Sequence, residues 1–425
     1  MKEQLAIIGT GIAGLGCAHF LNSRYDLTVF EQNDYIGGHT NTITIDEDGT
    51  PIPIDTGFMV FNNVTYPNLT RLFQELEVEV KPTEMSFSVR HLPDALEYNG
   101  MGMNKMFAQR GNLFRHRFWR FLFEVKRFFE EGRRTLLETL PSKLTLAEFI
   151  KKAELSDDFL NWYLVPMGSA VWSTPPDRML DFPAISLLRF FHNHGFLGIT
   201  THHPWKTVAN GSIQYVKKII QPFAKNIYTG DPVTRVERSE RGIRIATQAG
   251  AVFTFDRVIF ATHADQALRL LATPTRLEES LLFPFRYQSN VATLHTDESV
   301  MPTRRLAWAS WNYHVQTEPE NVTLASTHYW MNALQQVSKR KNYFVSINGE
   351  HLIDPQKTLK RIIYDHPTFD IPALEAQAQL HLLHDAAQQT QTHFCGSYFR
   401  YGFHEDAFTS ALELVRHLTG EPIWS

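Results

Sequence analysis

Residues 5–14 read Leu5-Ala6-Ile7-Ile8-Gly9-Thr10-Gly11-Ile12-Ala13-Gly14, and Leu15, Ala18, His19 and Leu21 continue at helical spacing. An unbroken apolar run is the mark of a strand buried on both faces. A glycine-x-glycine-x-x-glycine turn between such a strand and a helix commits the chain to a parallel α/β sheet that binds a dinucleotide. The first glycine permits the tight turn. The second leaves the backbone open to a pyrophosphate, and the third lets helix and strand pack closely. The free N–H groups at the helix N-terminus suit an anion. Leu27-Thr28-Val29-Phe30 reads as the second strand, with Glu31 at its carboxyl end. An acid there accepts hydrogen bonds from a ribose and disfavours a 2′-phosphate. The turn by itself leaves NAD and FAD both open.

Length and charge narrow the rest. A chain of 425 residues suits two domains. Its 41 Lys+Arg against 45 Asp+Glu give a net charge of −4, with no global attraction to nucleic acid. Cys17 and Cys395 are the only cysteines. That is too few for a disulfide framework or a thiolate metal site and fits a reducing compartment. The opening MKEQ leads straight into the glycine turn, too soon for a secretory leader. No run reaches the roughly 18 apolar residues of a membrane span. The expected location is the cytoplasm.

A second diglycine, Gly37-Gly38, follows Glu31. This spacing resembles the E-x-x-x-x-x-G-G segment of the flavin amine oxidase superfamily, which includes amine oxidases, protoporphyrinogen oxidase and carotenoid desaturases. Tyr35 and His39 stand where that family commonly has arginines, so phosphate charge is expected to rest on the helix dipole and backbone amides. Three further segments resemble the family in order. Asp55-Thr56-Gly57-Phe58 is similar to the turn beside the flavin. Asp231-Pro232-Val233-Thr234-Arg235-Val236 is similar to the strand that meets the adenine. Arg257-Val258-Ile259-Phe260-Ala261-Thr262 is similar to the strand that closes the nucleotide sheet. Phe394-Cys395-Gly396-Ser397, followed by Gly402-Phe403-His404-Glu405-Asp406-Ala407, resembles the last motif, a helix aimed at the flavin. The acids there also suit simple capping. Carried over residue by residue, the resemblance implies a non-covalent FAD held by Gly9, Gly11, Ile12, Ala13, Gly14, Glu31, Gln32, Gly37, Gly38, His39, Thr40, Gly57, Phe58, Val233, Ala261, Gly396, Glu405, Asp406, Ala407 and Phe408.

The likeness extends beyond the cofactor segments. Residues 205–212 (WKTVANGS), 294–297 (LHTD), 308–313 (WASWNY) and 402–406 (GFHED) resemble one bacterial branch of predicted NAD/FAD-binding proteins. Members of that branch are associated with cyclopropane-fatty-acid-synthase-like methyltransferases. The association implies oxidation or desaturation of a fatty-acyl or other apolar chain. Amine oxidation and redox-neutral lipid isomerisation are the alternatives, as is FAD in a purely structural role. No residue is assigned to catalysis. Neither the lysine that amine oxidases often place near the flavin nor their aromatic cage can be mapped. The histidines at 192, 194, 202 and 203 lack accompanying ligands at metal spacing, so no metal is expected. Among Trp162, Tyr163, Trp172, Trp205, Trp308, Trp311, Tyr313, Tyr329 and Trp330, most are expected in the core and a few around the substrate.

The fold expected is a Rossmann-like FAD domain interleaved with a mixed α+β substrate domain. The cofactor parts are 1–80, 205–265 and 386–425, and the substrate parts are 81–204 and 266–385. Strands are expected at 85–89, 291–294 and 343–347. Residues 112–134 place Phe114, Phe118, Phe121, Val125 and Phe128 in one helical stripe beside Arg115, Arg117, Arg120, Lys126, Arg127, Arg133 and Arg134. The stripe either packs on its own domain or lies on the inner face of a membrane.

Overall fold

The computed structural model describes residues 2–137, 144–198, 201, 203–317 and 323–424. A five-stranded parallel sheet runs in the order Thr392–Phe394, Arg257–Phe260, Gln4–Ile8, Asp26–Glu31, Ile227–Thr229. The apolar run at the N-terminus is continuous because the sheet is covered on both faces. Leu5 and Ile7 pack with Leu15, Cys17, Phe408 and Ala411, on the side of helices Ile12–Leu21 and His404–Thr419. Ala6 and Ile8 pack with Val236, Ile243, Ile245 and Phe255, from a three-stranded antiparallel sheet over residues 233–255. The strand Arg257–Phe260, expected to close the sheet, lies inside it, and Thr392–Phe394 forms that edge. Val233 opens a strand of the antiparallel sheet.

A mixed seven-stranded sheet stands beyond the carboxyl ends of the parallel strands. Its order is Thr358–Thr368, Arg286–His295, Phe344–Ile347, Thr323–Trp330, Trp311–Thr317, Phe87–His91, Leu96–Asn99. One pair, Trp311–Thr317 with Phe87–His91, is parallel and the others are antiparallel. The buried Asp55 carboxylate ties the two halves together. It accepts from Ser212 N at 2.9 Å, Ser212 Oγ at 2.8 Å and Gln335 Nε2 at 2.6 Å, and Gln335 follows the strand Thr323–Trp330.

The stripe over 112–134 does not face solvent as one surface. A 3₁₀ turn at Arg110–Phe114 precedes the helix His116–Leu137, so Phe114 leaves the stripe and is 91% exposed. Phe118 and Phe121 are buried against Tyr98, Phe107 and Trp162, and Phe128 against Phe149, Phe159 and Phe191. Arg117 is held between Asp94 and Asp158, and Arg120 also reaches Asp158. Phe118, Phe121 and Phe128 therefore serve core packing, and Phe114 alone of the stripe's phenylalanines stands in solvent. Among the described residues no helix is long and apolar enough to cross a membrane.

One face of the seven-stranded sheet buries a histidine chain. Ser346 Oγ lies 2.7 Å from His295 Nε2 and 2.6 Å from His328 Nδ1, and Ser326 Oγ lies 2.9 Å from His328 Nε2. His314 is buried beside them with both ring nitrogens unpartnered. Burial lowers His295 and His314 to about 4 and holds His328 well below its ordinary value, with Arg90 and His351 adding to the effect at His314, and His314, His295, Arg90 and His351 at His328. The unfolded chain therefore binds more protons than the fold between about pH 6.5 and 4, and stability falls as pH drops through that window. Each such histidine contributes on the order of 2 kcal/mol of acid lability at the low end. Denaturant midpoints should fall between pH 7 and pH 5, and His314→Gln should flatten that slope. An unchanged slope in the variant would remove His314 from the account.

Candidate functional site

A cavity of about 1130 Å³ lies between the carboxyl ends of the parallel strands and the seven-stranded sheet. Of the residues expected to hold a cofactor, Gly9, Gly11, Ile12, Ala13, Glu31, Gln32, Gly37, Gly38, His39, Gly57, Phe58, Val233, Ala261, Gly396 and Ala407 reach its wall. The glycines divide by role. A Cβ on Gly14 would lie 1.9 Å from Gly9 O, so that glycine serves packing of helix on turn. A Cβ on Gly11 would meet nothing within 4 Å, so this glycine keeps space open at the helix N-terminus. Gly37 and Gly38 take φ of +128° and +59°, and a Cβ on Gly38 would sit 3.2 Å from Gly11 Cα. The second diglycine thus lies directly against the first turn.

Gly14, Thr40, Glu405, Asp406 and Phe408 stand outside the wall. Glu405 instead accepts from Asn68 N and Leu69 N, both at 2.9 Å, and caps the helix Pro67–Glu75. Asp406 accepts from Phe403 N at 2.9 Å and caps its own helix, and burial lifts its carboxyl to about 7. Phe408 packs against Phe20 and Trp424. Thr40 Oγ1 is bonded to Tyr215 Oη. Capping and packing needs, set by distant segments, claim these side chains.

Glu31 is buried and already fully engaged. Oε2 accepts from Thr10 N at 3.0 Å and from Thr10 Oγ1, and Oε1 accepts from Asn33 N and Nδ2 at 2.9 and 2.8 Å. A ribose hydroxyl must share one of these oxygens.

Sequence reasoning missed His404. It lines the cavity at the start of the last helix, stacked on Phe58 with ring centroids 3.9 Å apart. Its Nε2 lies 2.8 Å from Tyr215 Oη, and burial lowers it to about 3, so the imidazole is neutral. His39 stacks on Tyr364 and meets His366 edge-on at 5.3 Å; burial, then His366, His263 and His404, hold it well below its ordinary range. The sequence signal for these residues was only their place inside glycine-rich motifs.

Away from the glycine turn the wall is largely apolar. Trp172, Trp205, Trp311, Tyr163 and Tyr329 line it. Trp162 is buried beneath Arg117, Trp308 and Trp330 pack together beside Phe344, and Tyr313 is core. Cys17 and Cys395 are buried with sulfurs 3.8 Å apart, and neither reaches the cavity. His194 Nδ1 and His203 Nε2 bond backbone carbonyls, and His202 lies outside the described residues.

A family profile described as flavin-containing amine oxidoreductase matches residues 12–418. The chain belongs to that family. FAD is its cofactor, and the open face of Gly11, the helix N-terminus and the long cavity fit it. The 15-cis-phytoene desaturase of Synechococcus elongatus is 39% identical over 77 residues, 18% of this chain. An uncharacterized protein of Acanthamoeba polyphaga mimivirus is 41% identical over 73 residues, and each match spans 15% of the relative's length. Among solved structures, a fatty acid isomerase from P. acnes that produces CLA has a TM-score of 0.70 at 14% identity, covering 98% of this chain and 99% of that one. Putrescine oxidase bound to putrescine has a TM-score of 0.67 at 14% identity, covering 99% and 100%. These structural likenesses speak for the fold.

The two glycines of the turn should separate cleanly on mutation. Gly11→Ala is expected to melt within a degree or two of the wild-type apoprotein while binding FAD at least about tenfold more weakly. Gly14→Ala should lose about 3 kcal/mol of stability or more, because its methyl meets backbone. Thermal melts of apoprotein and flavin titration by fluorescence check both.

Proposed function

We propose that the protein is an FAD-dependent oxidoreductase that oxidises or desaturates an apolar chain, a fatty-acyl or other lipid. We further propose that it works from the cytoplasm as a peripheral protein on the inner face of a membrane. The observation that carries the reading is the cavity wall away from the glycine turn. It is built from Met85, Phe87, Met103, Met106, Phe121, Leu122, Val125, Phe129, Tyr163, Met167 and Trp172; besides Arg269 and Asp365, which also line the cavity, its charged members are Glu84 and Lys126. Both charges stand at the surface, and Glu84 lies 3.7 Å from Lys105. Unbranched methionines conform to a flexible chain. An ammonium substrate would need a desolvated anion beside it, and an exposed, paired glutamate does not offer one.

Within this reading the parallel sheet and its helices form the cofactor domain, and the seven-stranded sheet with the helices over 116–193 forms the substrate domain. Bound FAD supplies two-electron redox chemistry. The chain's own residues exclude water and position the substrate. His404, held at Nε2 by Tyr215 Oη, presents a neutral imidazole at the cavity wall that orients and hydrogen-bonds without carrying charge. A second reading, redox-neutral isomerisation, uses the same apolar wall, with a double bond moved along the chain and no net electrons transferred. Non-covalent attachment agrees with both cysteines lying off the wall.

Purified protein should be yellow and release its flavin in acid. Mixed without oxygen, acyl lipids are expected to bleach the flavin and putrescine is not. Bleaching by amines alone would overturn the lipid reading. A migrated double bond without net oxidation would select the isomerase.

A further inference from the structure

We propose that the mouth of the cavity docks on an anionic phospholipid surface through Met101, Met103, Leu113, Phe114 and Phe123. These side chains stand in water with relative exposures of 47, 64, 44, 91 and 68%. Met101 and Met103 also line the cavity, so the exposed apolar rim is continuous with its wall. Phe123 neighbours Leu122 and lies one turn before Lys126, and both of these line the cavity. Leu113 and Phe114 are tied to the same helix by Trp119, whose Nε1 donates to Leu113 O at 2.9 Å. Exposed apolar residues scattered singly are ordinary, whereas several gathered at one opening mark a contact surface.

Charge selects the partner. Residues 101–127 carry seven Lys+Arg and one acid, Glu124, in a chain of net charge −4. Asp94 and Asp158 engage Arg117 and Arg120, while Glu84 and Glu130 stand 3.7 and 3.8 Å from Lys105 and Lys126. Arg110, Arg115 and Arg127 donate to backbone and amide oxygens, which leaves their charge uncompensated by those contacts. Aromatic and methionine side chains beside guanidinium groups suit the boundary between acyl chains and phosphates. A second copy of this chain would bring the same cations face to face. Docked in this way, the cavity opens into the bilayer, and a chain reaches its wall without crossing water. The purpose of the surface rests on the acyl-chain reading, but docking is measured without turnover.

The test is flotation of the FAD-loaded full chain with vesicles of phosphatidylcholine and phosphatidylglycerol in equal parts, and with phosphatidylcholine alone. Binding to the anionic vesicles at low salt, weakened at high salt, is expected. Phe114→Ser with Phe123→Ser should weaken it about tenfold or more, and Arg127→Glu should weaken it further. Flavin absorbance should stay unchanged in both variants, because none of these residues lines the cavity. Wild-type protein that ignores anionic vesicles at low salt overturns the proposal, as does undiminished binding by the double variant. A wild-type dimer that the double variant splits in sedimentation assigns the rim to self-association and also overturns it. Bleaching by detergent-dispersed acyl lipids is read separately, so vesicle binding without bleaching rejects the acyl substrate and leaves the docking surface standing.

Discussion

Asp55 sits where three distant stretches of chain meet. Its oxygens accept from Thr42, from the backbone and hydroxyl of Ser212, and from the Gln335 amide, while Gln335 Oε1 accepts from Asp55 N at 3.0 Å. Burial pushes its pKa up and these donors pull it back down. Leaving such a network half-made costs about 3–5 kcal/mol. Gly57 and Phe58 follow Asp55 into the cavity wall, Ser212 starts the helix that carries Tyr215, and Gln335 follows the strand that ends at Tyr329 and Trp330. The two halves of the cavity hold their separation because this carboxylate fixes all three.

The cavity is unusual in its cations. The arginine of the wall, Arg269, is exposed and paired with Asp265, while the buried basic groups are His39, His263, His366 and His404, each held below its ordinary pKa, with burial the largest cause. Anion binding then falls to the backbone around Gly11 and to the helix N-terminus, which cost no desolvated side-chain charge. Neutral rings also stack closely, as His404 does on Phe58 and His263 on Tyr287, so they contribute packing as well as polarity.

The helix His116–Leu137 serves two surfaces at once. One side buries Phe118 and Phe128, while Phe121, Leu122, Val125 and Phe129 form cavity wall. Phe123 on the remaining side is left to solvent. Its arginines are structural where an acid reaches them, as at Asp158, and free to act at a surface where none does. A single amphipathic count therefore misreads the helix, since burial is shared between a core and a cavity.

The sequence by itself determined the strand, glycine turn and helix at the N-terminus, and with them the parallel sheet and a dinucleotide as ligand. Those features are contiguous, and Gly14 answers Gly9 O within the same turn. The strands around 87–91, 286–295 and 344–347 were legible from alternation and β-branched runs for the same local reason. Tertiary structure decided the rest. Glu405 caps a helix 337 residues earlier, and His404 finds Tyr215 across 189 residues. Phe114 was cut from its stripe by a turn ahead of the helix. Hydrogen-bond partners so far apart leave no periodic trace in a sequence. Which acid caps and which imidazole faces the cavity is fixed only when the chain has closed on itself.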